Sequence, residues 1–339
     1  MTRHHHAGHS MTRRGAAKLA AVAAVAAAAM AAPSLPAQAQ QNYPTREIIT
    51  ICPFGPGTGA DVLVRYFAAK LGEELGKTMI VENKPGAQGT LAMEAVARAK
   101  PDGYTITITP ASSTMAAAVS LFNKLPFDPV KDFTPITTIS SLSFSLVVDG
   151  KSKINSVAEL TESLKAKASN GFYGASTNTG IIATELYKRQ TGLKTERVNY
   201  KSLHDTLKDM AAGHVDFVFT DSSFVAGQMK EGRIKALAVT SPKRSTVLPD
   251  VPTMAEAGIA GVSLTAWWAA FAPAGTPQPV IDKLRAAFDK VLAMPETVAF
   301  LGKIANDPMP GTPEETRELM IKEVKAWGEY VDLAKIEKQ

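Results

Sequence analysis

The chain has few of the residues that covalent crosslinking or catalysis needs. Cys52 is the single cysteine among 339 residues, so no internal disulfide can form. It lies in an apolar run, which predicts a buried and unreactive thiol. Four of the six histidines lie within the first ten residues, which leaves His204 and His214 for the rest of the chain. We interpret these two as a loop residue and a solvated residue, not as a pair of metal ligands.

Catalytic signatures are also missing. No Gly-x-Ser-x-Gly nucleophile elbow occurs, and no P-loop lysine follows the glycines. Gly55, Gly57 and Gly59 do not have the G-x-G-x-x-G spacing of a dinucleotide site. Asp216 and Asp221 flank a short strand and make a weak carboxylate pair. The sequence therefore predicts no catalytic residue, no metal and no cofactor.

The net charge of +5 comes mostly from the N-terminus. Residues 1–39 hold no acidic residue and four basic ones, Arg3, Arg13, Arg14 and Lys18. The rest of the chain has 33 basic and 32 acidic residues. A nearly neutral remainder gives no reason to expect nucleic-acid binding.

The N-terminal 39 residues have the pattern of a cleaved export signal. A basic segment precedes an apolar run over 19–32 that is too short for a confident membrane span, and Ala37-Gln38-Ala39 is typical of a signal-peptidase site. Arg13-Arg14 lacks the apolar residues of a twin-arginine signal, and no cysteine follows for a lipid anchor. We predict a signal peptide with an N-terminal extension (1–10) and a periplasmic protein; a retained amphipathic helix is the alternative.

A glycine-rich loop, Phe54–Asp61, lies between a predicted strand over 47–52 and a helix that begins near Asp61. Its glycines allow close approach to a ligand, and the first helical N–H groups favour an anion. Asp61 is interpreted as the helix N-cap, or as a residue that holds the shape of the loop.

The same arrangement of strand, polar turn and helix recurs along the chain, which predicts an α/β fold with mostly parallel sheets. Gly, Ser, Thr and Asn crowd the carboxyl ends of the strands, where ligands bind in such sheets. These residues donate neutral hydrogen bonds, which favours a receptor over an enzyme. The predicted strands are 47–52, 77–82, 104–109, 172–173, 197–200, 215–220 and 234–240.

From Tyr43 onward the chain resembles the Bug-type periplasmic receptors, the TctC-like solute-binding components of tripartite tricarboxylate transporters. The resemblance is carried, in the family's order, by YPTREI, PFGPGTGADVLVR, VENKPGAQGT, PDGYTI, LPFDPVKDFTPI, VNYKS, LAVTSPKRSTVLPDVPTMAEAG, FAPAGTP and GTPEE. It implies a two-domain, type II periplasmic-binding-protein fold, a Venus flytrap with two crossing strands as its hinge. The first domain would comprise 43–143 plus 265–339, and the second 144–264.

The resemblance also implies a site in the cleft that binds a small carboxylate without chemistry and closes over it for delivery to membrane permease subunits. A monomer is expected. Lys201 could meet a ligand carboxylate or remain solvated in its loop. The implied ligand-binding residues are Phe54, Gly55, Pro56, Gly57, Thr58, Gly59, Asp61, Gln88, Gly89, Thr90, Ser112, Ser113, Thr114, Phe144, Ser176, Thr177, Asn178, Thr179, Tyr200, Lys201 and Asp221.

Two departures from the family pattern bear on the ligand. The segment GASTNTGIIATELYK is shorter than its family counterpart and carries Ile181 and Ile182, and YKS replaces YKG. With Phe144 and Trp267-Trp268 near the cleft or in the core, we predict a carboxylate with an apolar or aromatic body, such as terephthalate. We expect the isoleucine-bearing loop to set the specificity.

Two other functions stay open at this point. A sensing receptor would present the same closed cleft to a membrane kinase. A secreted carboxylic ester hydrolase would need a nucleophile and a base that the sequence does not offer.

Overall fold

Three parallel strands followed by helices build the first part of the fold. The computed structural model describes Met1, residues 43–200 and residues 203–338. The elements, in order, are β1 (Ile48–Cys52), α1 (Gly59–Leu75), β2 (Met79–Asn83), a 3-10 turn (Ala87–Gly89), α2 (Thr90–Ala97), β3 (Thr105–Thr109), a π-helical segment (Ser112–Ala117) and α3 (Ala118–Leu121).

The 17-residue strand β4 (Phe133–Asp149) leads to a second set of strands and helices. These are α4 (Val157–Lys167), a 3-10 turn (Ala168–Asn170), β5 (Phe172–Ala175), α5 (Asn178–Thr191), β6 (Glu196–Asn199), α6 (Leu203–Ala211), β7 (Phe217–Asp221), α7 (Ser222–Lys230) and β8 (Ile234–Val239). The chain then returns through β9 (Thr265–Pro273), α8 (Gln278–Ala293), α9 (Pro295–Lys303), β10 (Asp307–Pro308) and α10 (Pro313–Ala334). None of the described helices is both long and apolar enough to span a membrane.

The strands are joined in the order β2-β1-β3-β9-β4-β7-β5-β6, with β8 and β10 also paired to β4. Pairing is parallel among β1, β2 and β3 and among β5, β6 and β7. Every pairing that involves β4 or β9 is antiparallel. The prediction of mostly parallel sheets is therefore right for the strand-helix repeats and wrong where the chain crosses and returns.

The strand directions place two polar edges opposite each other. β3 and β4 are both antiparallel to β9, so β3 points along β4 towards Ser143, where the pairing of β4 with β9 ends. β7 runs against β4, and its last residue, Asp221, pairs with Phe144. The carboxyl ends of β1–β3 and of β5–β7 consequently face each other across this crossing, in the manner of a two-lobed binding protein. We call the part built on β1–β3 the first lobe and the part built on β5–β7 the second lobe.

The partners of β4 change between Ser143, which pairs with β9, and Phe144, which pairs with β7. This is where the sequence places the domain boundary. Yet one apolar cluster includes buried residues of both predicted domains, among them Leu186 of α5 and Trp327 of α10. The division into 43–143 plus 265–339 and 144–264 therefore stays a prediction.

A buried hydroxyl joins the two segments that cross between the lobes. The Oγ1 of Thr240 accepts a hydrogen bond from the N–H of Phe144 (3.0 Å) and donates one to the carbonyl of Leu264 (2.5 Å). The N–H of Leu264 in turn donates to the carbonyl of Thr240 (3.1 Å). Thr240 is 1% exposed, so these bonds are shielded from competing water.

Candidate functional site

The glycine-rich loop is held from below by a buried carboxylate. Thr58, not Asp61, is the N-cap of α1: its Oγ1 accepts from the N–H of Asp61 (3.2 Å). The carboxylate of Asp61 accepts from the N–H of Gly57 (2.8 Å), from Nε of Arg65 (2.9 Å) and from Nδ2 of Asn83 (2.8 Å). The N-cap interpretation of Asp61 is therefore wrong, and its alternative, a residue that holds the loop's shape, describes the geometry.

The Asp61 carboxylate stays ionised and is paired with the guanidinium of Arg65 (2.9 Å). The Asp61 side chain is 4% exposed, and the hydrogen bond from Arg65, with those from Asn83 and Gly57, lowers its pKa to about 2 against the opposing effect of burial. Because Gly57 N–H already donates to Asp61 and the guanidinium of Arg65 is paired with the same carboxylate, neither group is left to attract a ligand anion at this loop. The loop therefore supplies shape more than positive potential.

The turns after β2 and β3 pack against each other beside this loop. Gly89 has φ of 92°, and a Cβ atom added there would lie 2.7 Å from Cγ2 of Thr114 and 3.1 Å from Cβ of Pro53. The predicted segments 88–90 and 112–114 are thus brought together, next to Pro53, which directly precedes the glycine-rich loop. Gln88 also has a positive φ, 54°, a strained conformation that recurs at ligand sites.

The helices that start at these two turns differ from α1 because no side chain caps them. Gly89 precedes α2 and Ala111 precedes the π-helical segment. Neither residue has a side chain that accepts a hydrogen bond from the N–H groups of the first turn. Several of their first N–H groups are nevertheless bonded to the backbone: Ser113 and Thr114 donate to the carbonyl of Pro110 (3.0 and 3.1 Å), and Thr90 donates to that of Ala87. Only the remaining N–H groups of these turns can donate to a ligand. π-helical turns are themselves frequent at functional sites.

The hydroxyl groups of Ser112, Ser113 and Thr114 have different hydrogen-bond partners. Oγ of Ser112 accepts from the N–H of Trp267 on β9 (3.2 Å), which ties the turn to the returning strand. Thr114 is buried and shares a hydrogen bond with Thr109 (2.7 Å). Ser113 is exposed and donates to the carbonyl of Pro110 (3.1 Å), so its oxygen can still accept from or reorient towards a ligand. Thr90 likewise donates to its own turn, at the carbonyl of Ala87 (2.9 Å).

The opposing turn of the second lobe follows β5. Thr177 is the N-cap of α5 and accepts from the N–H of Gly180 (3.1 Å). Ser176, Asn178 and Thr179 are exposed or half-buried at the start of the same helix, and they offer two hydroxyls and an amide to the space between the lobes.

The isoleucine-bearing loop is predicted to set the specificity, and the structure shows where its two isoleucines lie. Ile182 is completely buried in the apolar cluster that contains α10, and Ile181 is half-buried against that cluster. Helical spacing explains the difference, because position 182 lies on the core face of α5. Ile182 contributes to packing and not to the ligand surface.

Asp221 and Phe144 lie side by side at the crossing, where β7 and β4 pair. Asp221 is the N-cap of α7: its Oδ1 accepts from the N–H of Phe224 (3.0 Å) and from the hydroxyl of Ser223. Phe144 is 8% exposed. A ligand can therefore reach little of the Phe144 ring.

Tyr200 turns its hydroxyl away from the opposite lobe and donates to Asp209 of α6 (2.7 Å). Burial, together with this carboxylate, raises the pKa of Tyr200 to about 12. The prediction for Lys201 falls outside the described residues. Trp267 is 1% exposed and belongs to the core, whereas Trp268 is half-buried.

The sequence did not single out one aromatic pair at this edge. His204, on the first turn of α6, and Phe224, on the first turn of α7, contact each other edge to face, with ring centroids 5.5 Å apart. The signal was present, since both follow strands of the second lobe by a few residues. Arg65 and Asn83, which hold Asp61, were also missed.

The described residues of the site offer mainly neutral hydrogen-bond donors. Cys52 is completely buried, and burial raises the pKa of its thiol, which confirms the predicted inert cysteine. No group of metal-ligating side chains occurs among the described residues. An apolar groove of about 540 Å³ lies elsewhere, with Phe122 and Val324 in its lining, and contains none of the predicted site residues.

Comparison with known proteins agrees with this picture. The sequence profile described as "Tripartite tricarboxylate transporter family receptor" matches residues 63–335. The protein BugT of Bordetella pertussis is 30% identical over 291 residues, which cover 85% of this chain and 89% of BugT.

Two solved structures with bound ligands are also similar. A Rhodopseudomonas palustris protein with adipate is 31% identical, with a TM-score of 0.69 over 88% of this chain and 100% of the other. MatC from Rhodopseudomonas palustris with bound malate is 28% identical, with a TM-score of 0.64 over 85% of this chain and 100% of the other. The chain therefore belongs to the TctC-like, Bug-type family of tripartite tricarboxylate transporter receptors, which have the two-domain periplasmic-binding-protein fold and are solute-binding proteins, not enzymes.

Proposed function

We propose that this protein is a periplasmic receptor that captures a small dicarboxylate between its lobes and delivers it to a tripartite tricarboxylate transporter. The observation that carries the proposal is the contact between the polar turns that contain Gly89 and Thr114, which gathers neutral hydrogen-bonding groups at one edge of the first lobe. The Ser176–Thr179 turn of the second lobe faces that edge.

The exposed hydroxyl of Ser113 and the remaining backbone N–H groups of these turns would bind one carboxylate, and the hydroxyl and amide groups of residues 176–179 would bind the other end. A hydrogen bond to a charged group contributes about 1.5–3 kcal/mol. Four such bonds contribute about 6–12 kcal/mol, so burial of the apolar body must supply the rest of the roughly −8 kcal/mol of micromolar affinity after the costs of association. Closure of the lobes would exclude water and strengthen each bond.

For the ligand we propose a dicarboxylate with an apolar body, with terephthalate as the concrete candidate. Two similar proteins bind adipate and malate, so the family accommodates both an apolar spacer and a short hydroxy acid. The aromatic surface that would favour a ring is smaller than expected, because Trp267 is in the core. Phe144 and the His204–Phe224 pair supply what remains.

The experiment is a thermal-shift screen of residues 40–339 against terephthalate, benzoate, adipate, malate and citrate. A ligand at 100 times its Kd stabilises a protein by about 2.7 kcal/mol, which raises the Tm of a chain of this size by about 5 °C. Recovery of the unchanged ligand is expected, as for a receptor. Strong stabilisation by citrate with none by a dicarboxylate that has an apolar body would refute the proposed ligand class, and no stabilisation by any carboxylate would refute the receptor function.

A further inference from the structure

The first turns of α6 and α7 present two aromatic side chains at the edge where the second lobe faces the first. His204 is exposed and Phe224 is half-buried. Their ring planes are inclined by 85°, with the centroids 5.5 Å apart, so the pair is in edge-to-face contact. Part of the Phe224 ring is therefore accessible at this edge.

The position of the pair follows from the strand order. β6 and β7 both pair with β5 in parallel, so the helices after them start at the same edge as the Ser176–Thr179 turn. The N–H of Phe224 donates to Asp221, and Asp221 pairs with Phe144 where β4 enters the second lobe. The aromatic pair therefore lies within one helical turn of residues already assigned to the site.

The neighbouring helices leave few backbone donors at this edge, because side chains cap their N-termini. Thr177 caps α5 and Asp221 caps α7, so some of their first N–H groups are already bonded. Asp221 also adds a negative charge near the crossing. A ligand with a second carboxylate consequently needs a donor at some distance from Asp221, and the imidazole of His204 can donate an N–H.

We propose that Phe224 and His204 form the second-lobe end of the ligand site and select its ligand. The ring of Phe224 packs against an apolar spacer, and a ring N–H of His204 donates to the distal carboxylate. The pair thereby favours a dicarboxylate with a long apolar body over a short hydroxy acid. This inference rests on the proposed receptor function and adds the residues that set ligand length.

The test measures Kd by calorimetry for two matched ligand pairs, terephthalate with benzoate and adipate with hexanoate, and for malate. In whichever ligand pair binds, His204→Ala should raise the Kd of the dicarboxylate by about tenfold and leave the Kd of the matching monocarboxylate within twofold. Only the dicarboxylate has the distal charge. Phe224→Leu should weaken both members of that pair to a similar extent, and malate by less than twofold.

His214→Ala is the matched control, since the His214 side chain is 72% exposed and pairs with Asp209 at 3.9 Å, away from the helix starts. It should bind every ligand like the wild type. The ligand-free Tm of each variant checks the fold; if Phe224→Leu is destabilised, the His204 comparison still decides.

Equal loss of dicarboxylate and monocarboxylate in His204→Ala, or wild-type affinity in both variants, would overturn this inference and leave the receptor function intact. Binding of malate alone by the wild-type protein would also overturn it. Failure of the wild type to bind any carboxylate would refute the receptor function itself.

Discussion

Substitution of Asp61 by Asn should destabilise the protein through the glycine-rich loop. The carboxylate accepts three hydrogen bonds, from Gly57, Arg65 and Asn83, and its side chain is 4% exposed. An asparagine would keep one acceptor and turn an NH₂ group towards one of these donors. The drop in the pKa of Asp61 from 3.8 to about 2 corresponds to about 2.5 kcal/mol, at 1.36 kcal/mol for each pKa unit. We expect a Tm lower by about 5 °C at pH 7.

The pH dependence gives this prediction a second readout. Because the pKa of Asp61 is lower in the folded state, its contribution is present above the unfolded value near 4 and is lost as the pH falls towards 2. The difference in unfolding free energy between wild type and Asp61→Asn, measured with urea, should therefore shrink over that interval. Asp282→Asn is the control, since exposed Asp282 accepts one bond, from Gln278, and should change stability by less than about 0.5 kcal/mol.

Two outcomes would refute the reasoning. A Tm within 1 °C of the wild type would mean that the carboxylate does not hold the loop. A stability difference that stays constant from pH 7 to pH 2 would mean that the effect is steric and independent of the charge.

Two further substitutions test the remainder of the site. Gly89→Ala should lower the free energy of unfolding by about 3 kcal/mol and weaken carboxylate binding at least tenfold, because the new Cβ would lie 2.7 Å from Thr114 at a φ of 92°. Gly227→Ala is the control, since the space around its Cβ is open. An unchanged Tm and Kd for Gly89→Ala would contradict the packing argument. Thr240→Val should lower the free energy of unfolding in urea by about 2 kcal/mol, because Phe144 and Leu264 lose a buried hydrogen-bond partner. Thr240→Ser should retain most of the stability. Equal stability of the two variants would show that the hydroxyl does not hold the crossing segments together.

The strand-helix repeats could be predicted from the sequence because each is a local pattern. The run before the glycine loop, predicted as 47–52, is β1 at Ile48–Cys52, and the run predicted as 234–240 is β8 at Ile234–Val239. Local alternation says nothing about partners, however. The antiparallel pairing of β4 with β9 joins residues more than a hundred positions apart, so the crossing could be expected only from the family resemblance.

The site could be predicted at the level of turns, but not at the level of atoms. Composition identified the polar turns after the strands, and the structure brings 88–90 and 112–114 together next to Pro53. Which groups remain for a ligand depends on hydrogen bonds that the sequence does not fix. Tyr200 is bonded to Asp209 and Ile182 is in the core, although both lie next to polar turns.

The two edges of the site therefore differ in how they can bind an anion. In the first lobe, Asp61 occupies the N–H of Gly57 and pairs with Arg65, so the remaining backbone groups and the Ser113 hydroxyl of the turns at 88–90 and 112–114 must bind the anion. In the second lobe, Thr177 and Asp221 cap their helices, so side-chain donors must take the larger share. A ligand held by backbone groups at one end and by side chains at the other has one invariant carboxylate position and one adjustable position. Substitutions in the second lobe should accordingly change which dicarboxylate binds, whereas substitutions at Gly89 should weaken all of them alike.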